Sequence, residues 1–233
     1  MTVAIHQPEH LPWYGFFHKI AHADRFVLLD VVQFKKNYFE NRNRVLGKNG
    51  LQWLTVPVRM KGHLDKRFYE METEPTIKWK KKYIRTLHQT YNKAPFFGEL
   101  EPLIAFLEDW ESQNLADLNI GIIEVLCDIL SIDKSKLVRA SNLDVGGKST
   151  DLLIAILTQE KADTYLMGKS GYDYIDKEKF DTANVAIRDH CFRYPDYNHF
   201  IASAFPEEKP SIIDMIASAG KKFVSESLNE RSS

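Results

Sequence analysis

Cysteine is scarce in this chain. Cys127 and Cys191 are the only two in 233 residues, and neither has metal-ligand spacing. That excludes a disulfide framework and a cysteine-based zinc motif, and the expectation is two reduced thiols in a cytoplasmic protein. No apolar run approaches the length of about 20 residues that spans a bilayer, so no membrane insertion is expected. No basic segment with a signal-type apolar core opens the chain. A basic surplus is missing too. Lys and Arg total 31 against 32 Asp and Glu, a formal net charge of −1, which argues against nucleic acid as a partner. There is no internal repeat, no Gly/Ser linker and no nucleophile elbow. One domain over residues 1–233 is the simplest organisation.

What is present is ordinary globular material, 44% hydrophobic and 27% charged. Thr2 to Ile5 reads as a buried first strand. Pro8 and Pro12 forbid a continuous helix between them, and a helix begins near Pro12 with Phe16, Phe17 and Ile20 on its core side. Arg25-Phe26-Val27-Leu28-Leu29-Asp30 is a second buried strand, completing a βαβ unit. Residues 33–50 read as a basic, amide-rich loop. Trp53 to Val58 follows as a third strand, placed at an edge by Pro57, with Asn49-Gly50 as a tight turn before it. Helical spacing over residues 77–131 predicts a helical insertion. Within it, Lys78 to Lys82 read as a solvated face and Trp79 as core. Further strands are expected at 137–141 and 164–167, a helix at 150–159, and an extended piece near Ile187. A last helix runs from Ser211 to Gly220, and the tail over 224–233 is expected to fray. This order predicts an α/β fold with a mostly parallel sheet.

Four clusters carry polar chemistry. The opening run His6-Gln7-Pro8-Glu9-His10, with Trp13 and Lys19 beyond it, sits where a first strand ends, the usual ligand position in an open α/β sheet. His6 and His10 have the i, i+4 spacing of a helical metal pair, but Pro8 lies between them, so no metal site is expected. Gln7 and His10 read either as substrate contacts or as structural groups, and Lys19 either reaches a phosphate or lies in solvent. Asp30, Gln33, Asn41, Arg42 and Asn43 form the second cluster. Amides and a guanidinium suit sugar hydroxyls and planar anions; a solvated loop is the alternative. The third cluster, Gly146-Gly147-Lys148-Ser149-Thr150, has the ending of a phosphate loop, but Asn142 stands where its first glycine belongs. It reads as an anion-holding helix start or a plain cap by Ser149 or Thr150. The fourth, Gly168-Lys169-Ser170-Gly171, follows a strand, and its glycines suit close approach of the backbone to a ligand.

With these residues in view, the chain resembles the WbqC-like family of bacterial proteins from surface-polysaccharide (O-antigen) biosynthesis. The resemblance runs through Gln7-Pro8, Leu11-Pro12-Trp13, Gly15, Lys19-Ile20, Asp30, Gln33, Asn41-Arg42-Asn43 and Trp53-Leu54-Thr55-Val56-Pro57. It continues at Ser141-Asn142-Leu143, Lys148-Ser149-Thr150, Gly168, Gly171, Tyr197 and Ser211-Ile212-Ile213-Asp214. His10 departs from it, because the family has an aromatic residue there. The resemblance implies decoration of amino-sugars, with transfer of a glycyl or other acyl group to a sugar amine. The strand, polar turn and helix at the start are also similar to the nucleotidyl-transferase superfamily. That implies a five-stranded Rossmann-like sheet with helices on both faces.

The expectation is then an acyl or aminoacyl transferase, or an ATP-dependent amide ligase, acting on a nucleotide-sugar. ATP with Mg²⁺ is the natural activator of a free carboxylate. Gln7, His10 and Lys169 would be catalytic, and Lys19, Lys148, Ser149, Gly168 and Ser170 would hold the cofactor. His6, Trp13, Asp30, Gln33, Asn41, Arg42 and Asn43 would hold the substrate. The alternatives are nucleotidyl transfer onto a small phosphorylated metabolite, or a non-catalytic nucleotide-sugar-binding protein.

Overall fold

A computed structural model describes residues 1–47, 50–173, 175–200 and 209–230. Five strands form its main sheet: β1 (Thr2–His6), β2 (Arg25–Leu28), β5 (Leu137–Arg139), β6 (Thr164–Met167) and β7 (Ala186–Asp189). They lie in the order β5-β2-β1-β6-β7, and every pairing is parallel. The three central strands β2, β1 and β6 are apolar on successive residues because both their faces are covered. Ala4, Phe26, Leu28 and Leu166 face one core. Val3, Ile5, Val27, Tyr165 and Met167 face the other. This is the Rossmann-like α/β architecture expected from the order of elements.

Helices α1 (Tyr14–Ala21), α2 (Thr76–Tyr91), α3 (Glu101–Asp109), α4 (Leu115–Ile129), α7 (Ile212–Ala219) and α8 (Lys221–Leu228) contribute to the larger core. Helices α5 (Thr150–Gln159) and α6 (Lys177–Thr182) cover the second face with Leu153, Ile156, Leu157 and Phe180. The expected insertion is present as α2, α3 and α4. No helix among the described residues is long and apolar enough to cross a membrane.

Two expectations are corrected. The strand at Trp53 is not in the main sheet. It belongs to a separate antiparallel hairpin of β3 (Arg42–Gly47) and β4 (Gly50–Thr55). Most of β4 is exposed, with Trp53 45% accessible, and a strand so exposed does not suit a sheet buried on both faces. Part of the supposed loop, Arg42 to Gly47, is therefore strand. Gly50 has a φ of 95°, a left-handed value glycine tolerates, while Asn49 of the expected turn lies outside the described residues. The tail does not fray at Phe223 either. Helix α8 buries Val224 and Leu228, and Tyr14 Oη donates to the Ser227 carbonyl at 2.9 Å.

Candidate functional site

Strand order reverses between β1 and β6: β2 and β5 continue the sheet on one side of β1, and β6 and β7 on the other. A crevice opens at the carboxyl ends of the two strands at such a reversal, and ligands bind there in open α/β sheets. A cavity of about 590 Å³ occupies this position. Ile5 and His6 from the end of β1 and Tyr165, Gly168 and Lys169 from the end of β6 form its floor and one wall. Trp13, Phe16 and Lys19 come from α1 and its approach, and His190, Phe192 and Tyr194 from the chain after β7.

The aromatic wall is built by close packing. Trp13 and Phe192 have ring centroids 5.6 Å apart, and a Cβ at Gly15 would lie 2.5 Å from the Trp13 ring and 2.6 Å from that of Phe192. Glycine at 15 is thus a condition of this wall. Gly168 has a related role. A Cβ there would approach Lys19 Nζ to 3.2 Å, so its absence leaves the amine room at the end of β6.

Lys19 is the unusual group. It is buried on α1, and no carboxylate among the described residues pairs with it. Burial lowers it to about 8, and the charge of Glu9 partly opposes that fall. Its amine therefore exchanges a proton near neutral pH. The imidazoles around it are held neutral. His6 is pushed well down by burial and then by Lys19, and His190 by burial, Lys19 and the neighbouring histidines. His6 Nδ1 donates to the Gln7 carbonyl at 3.0 Å, which leaves Nε2 as an acceptor. His190 and His18 share a hydrogen bond of 2.9 Å.

The structure brings His6, Trp13, Lys19, Gly168 and Lys169 into one cavity. It does not bring Gln7, His10, Asp30, Gln33, Asn41, Arg42, Asn43, Lys148 or Ser149 there. His10 is fully buried in the larger core, with Nδ1 on Asn119 Oδ1 at 2.9 Å and Nε2 on Tyr83 Oη at 2.6 Å. Asn119 gives its amide hydrogens to the Pro8 and Glu40 carbonyls, so its Oδ1 accepts from His10, which in turn accepts from Tyr83. Both ring nitrogens are used, and a catalytic His10 is corrected to a structural one.

Asp30 is likewise enclosed. Its oxygens accept from Arg139 Nε at 3.0 Å and from the backbone and hydroxyl of Ser141 at 2.8 and 2.7 Å. It ties the end of β2 to the end of β5 rather than meeting a substrate. Asn43 donates to the His10 and Leu11 carbonyls, Asn41 to Val56, and Gln33 to Leu64. Arg42 donates to the Asn37 carbonyl and lies 4.1 Å over the Trp53 ring. These four side chains pin the loop and hairpin. Lys148 and Ser149 are exposed at the start of α5, outside the cavity, and Ser149 makes no side-chain cap bond. Gln7 meets the site only through its carbonyl and is not on the cavity wall. The side chain of Ser170 lies outside the described residues.

Sequence reasoning missed His190, Phe192, Tyr194 and Lys209 on the walls, and Glu9 behind them. A usable signal existed for the first two. They follow an extended piece that the βα order places beside β6, so its carboxyl end falls at the same edge.

A profile of the WbqC-like protein family matches residues 7–226. The chain is also similar to the uncharacterized protein Rv1507c of Mycobacterium tuberculosis, 32% identical over 222 residues that cover 94% of each chain. No solved structure matches it. With the family profile matching nearly the whole chain, the chain belongs to the WbqC-like protein family.

Proposed function

We propose that this protein is an enzyme of bacterial surface-polysaccharide biosynthesis that transfers a glycyl or other acyl group to the amine of a nucleotide-linked amino-sugar. The observation that carries the reading is Lys19: a buried amine with no carboxylate paired to it among the described residues, facing a crevice at the strand-order reversal. In amide formation the sugar nitrogen attacks the acyl carbonyl, a C–N bond forms, and the bond to the leaving group breaks with its electron pair. The extra proton on nitrogen must go to a base. Lys19 in its free-amine form takes that proton, and its lowered affinity makes that form accessible near pH 8.

The walls suit a phosphorylated ligand. Lys169 and Lys209 supply positive charge, while Trp13, Phe16 and Phe192 offer ring faces to a sugar or base. These residues also fit the phosphates of ATP, which would supply the activation of a free carboxylate. Among the described residues no three His, Cys, Asp or Glu side chains gather as metal ligands, so Mg²⁺ would be carried on the phosphates.

The test is incubation with ATP, glycine and a UDP- or dTDP-4-amino-sugar, read by mass spectrometry. Amide on the sugar supports the reading, and no amide with any acyl donor refutes it. A second reading, nucleotidyl transfer onto a small phosphorylated metabolite, draws on the same lysines. Pyrophosphate release without amide would select it. Stabilisation by a nucleotide-sugar with no turnover would indicate a binding protein instead.

A further inference from the structure

Away from the cavity, the hairpin of β3 and β4 carries an outer face that adds little to the core. Side chains alternate across its strands, so Asn43, Val45 and Leu54 point inward and are buried. Arg42, Arg44, Trp53 and Thr55 occupy the other face, with Arg44 paired opposite Trp53 and Arg42 opposite Thr55. The loop before β3 extends this face with Lys35, Tyr38 and Phe39. Three rings follow one another along it. Tyr38 and Phe39 have centroids 5.2 Å apart, and Phe39 and Trp53 5.8 Å. A cation stands over each ring. Lys35 Nζ is 5.3 Å from the Tyr38 centroid, the Arg44 guanidinium 5.7 Å from that of Phe39, and the Arg42 guanidinium 4.1 Å from that of Trp53. None of these residues lines the cavity.

The solvent face of an isolated hairpin is usually kept polar, with charges of both signs, which guards it against unwanted pairing. This one is different. Tyr38 is 47% accessible and Trp53 45%. Over residues 33–47 and 50–55 the only acid is Glu40, and it is fully buried. Among the described residues no carboxylate pairs with Arg42, and its Nε–H has no acceptor. Contact with the Trp53 ring and a bond to the Asn37 carbonyl hold it in place. Although the net charge of the whole chain is −1, this surface carries charge of one sign beside two open rings. Exposed rings interleaved with cations suit a ligand that has apolar faces and negative charge.

We propose that the outer face of the hairpin is a second binding site, for an acidic saccharide chain: the C–H faces of its sugar rings pack on Tyr38 and Trp53, and its carboxylates meet Lys35 and Arg42. The tilt of the rings favours sugars over a nucleic-acid strand. Neighbouring rings stand at 76° and 50° to one another, whereas successive bases stack on aligned faces along a basic groove. Sugar rings turn at each glycosidic bond, so each can lie on a differently tilted ring. A guanidinium fork binds a carboxylate through two donors, and Arg42 has more N–H groups than its bond to Asn37 uses. The proposal does not rest on the chemistry assigned to the cavity.

The test is isothermal titration of the intact protein with three probes. One is a hyaluronan hexasaccharide, which carries a glucuronate on every second sugar. The others are uncharged maltohexaose and single-stranded hexathymidylate. The acidic hexasaccharide is expected to bind wild type, at least about tenfold more tightly than either of the others, and to weaken as salt is added. Trp53→Ala and Arg42→Ala should each lower that affinity by about tenfold or more, as the loss of a central ring or guanidinium does. Arg42 also holds the Asn37 carbonyl, so Tyr38→Ala, at an exposed ring, replaces R42A should that variant not fold. Affinity left unchanged in folded W53A and Y38A, equal binding of maltohexaose, tighter binding of hexathymidylate, or no binding of the acidic hexasaccharide overturns the proposal. A protein that makes no amide would sink the functional reading and leave these titrations unaffected.

Discussion

Around the ends of β1 and β2 stand two groups of buried and half-buried polar residues that look alike in sequence and differ in the structure. His10, Asn43, Asn119 and Asp30 form one group, and their hydrogen bonds close on one another and on the backbone. His6, Glu9 and Lys19 form the other. There, among the described residues, Lys19 has no carboxylate within ion-pair distance and Glu9 keeps an oxygen without a partner. Burying a polar group without partners costs several times what a satisfied one does. The closed group therefore reads as scaffold, and the open group as a site held ready for a ligand. Substitutions should separate the two, since the first group should govern stability and the second activity.

The largest effect is expected at Lys19. Lys19→Met should cut turnover by about 100-fold or more, the usual weight of a general base, while raising stability at pH 7 by about 1 kcal/mol because a lone buried cation is removed. Steady-state kinetics and urea denaturation would show the opposite signs. Asp30→Ala comes next. It leaves Arg139 without its buried partner and should cost about 3 kcal/mol by denaturation, with ligand affinity kept in the folded fraction. His10→Ala should cost about 2 kcal/mol, since Tyr83 and Asn119 lose their partner, again with affinity kept.

The fourth expectation concerns pH. Glu9 holds its proton in the folded state up to about 8, whereas the unfolded chain releases it near 4.5, so its contribution to stability falls as pH rises through that window. Lys19 is already deprotonated above about 8 when folded but stays protonated to about 10.5 when unfolded, so its contribution rises with pH above 8. Together they predict a shallow minimum near pH 8. E9Q should flatten the falling limb and K19M the rising one, measured by denaturation from pH 5 to 10. The smallest effect is at Lys148. Exposed and off the cavity, Lys148→Ala should change neither stability beyond about 0.5 kcal/mol nor ligand affinity.

The sheet was legible because its strands are short, apolar runs set between helical periods, and parallel burial on both faces leaves that pattern in Val3 to Ile5 and Phe26 to Leu28. The hairpin at Arg42 to Thr55 was half hidden, since its basic, amide-rich first strand reads as loop chemistry. Helix α8 was readable in the spacing of Val224 and Leu228, but the polar residues around them argued for fraying. Position at the end of β1 pointed to His6, Trp13 and Lys19, which line the candidate cavity. Residue type could not separate Lys19 from Lys148, or His6 from His10. Only the closing of hydrogen bonds by Asn119 and Tyr83, residues more than 70 positions from His10, separates the histidines, and no local pattern carries such contacts.

The most direct test of the central claim, that the open cavity with Lys19 is the ligand site, is isothermal titration of UDP and dTDP into wild type, K19M and K148A. The account predicts that one of these nucleotides binds wild type and K148A alike and that K19M, though folded and more stable, loses at least about tenfold in affinity. Equal binding by wild type and K19M, or loss of binding in K148A, would contradict it.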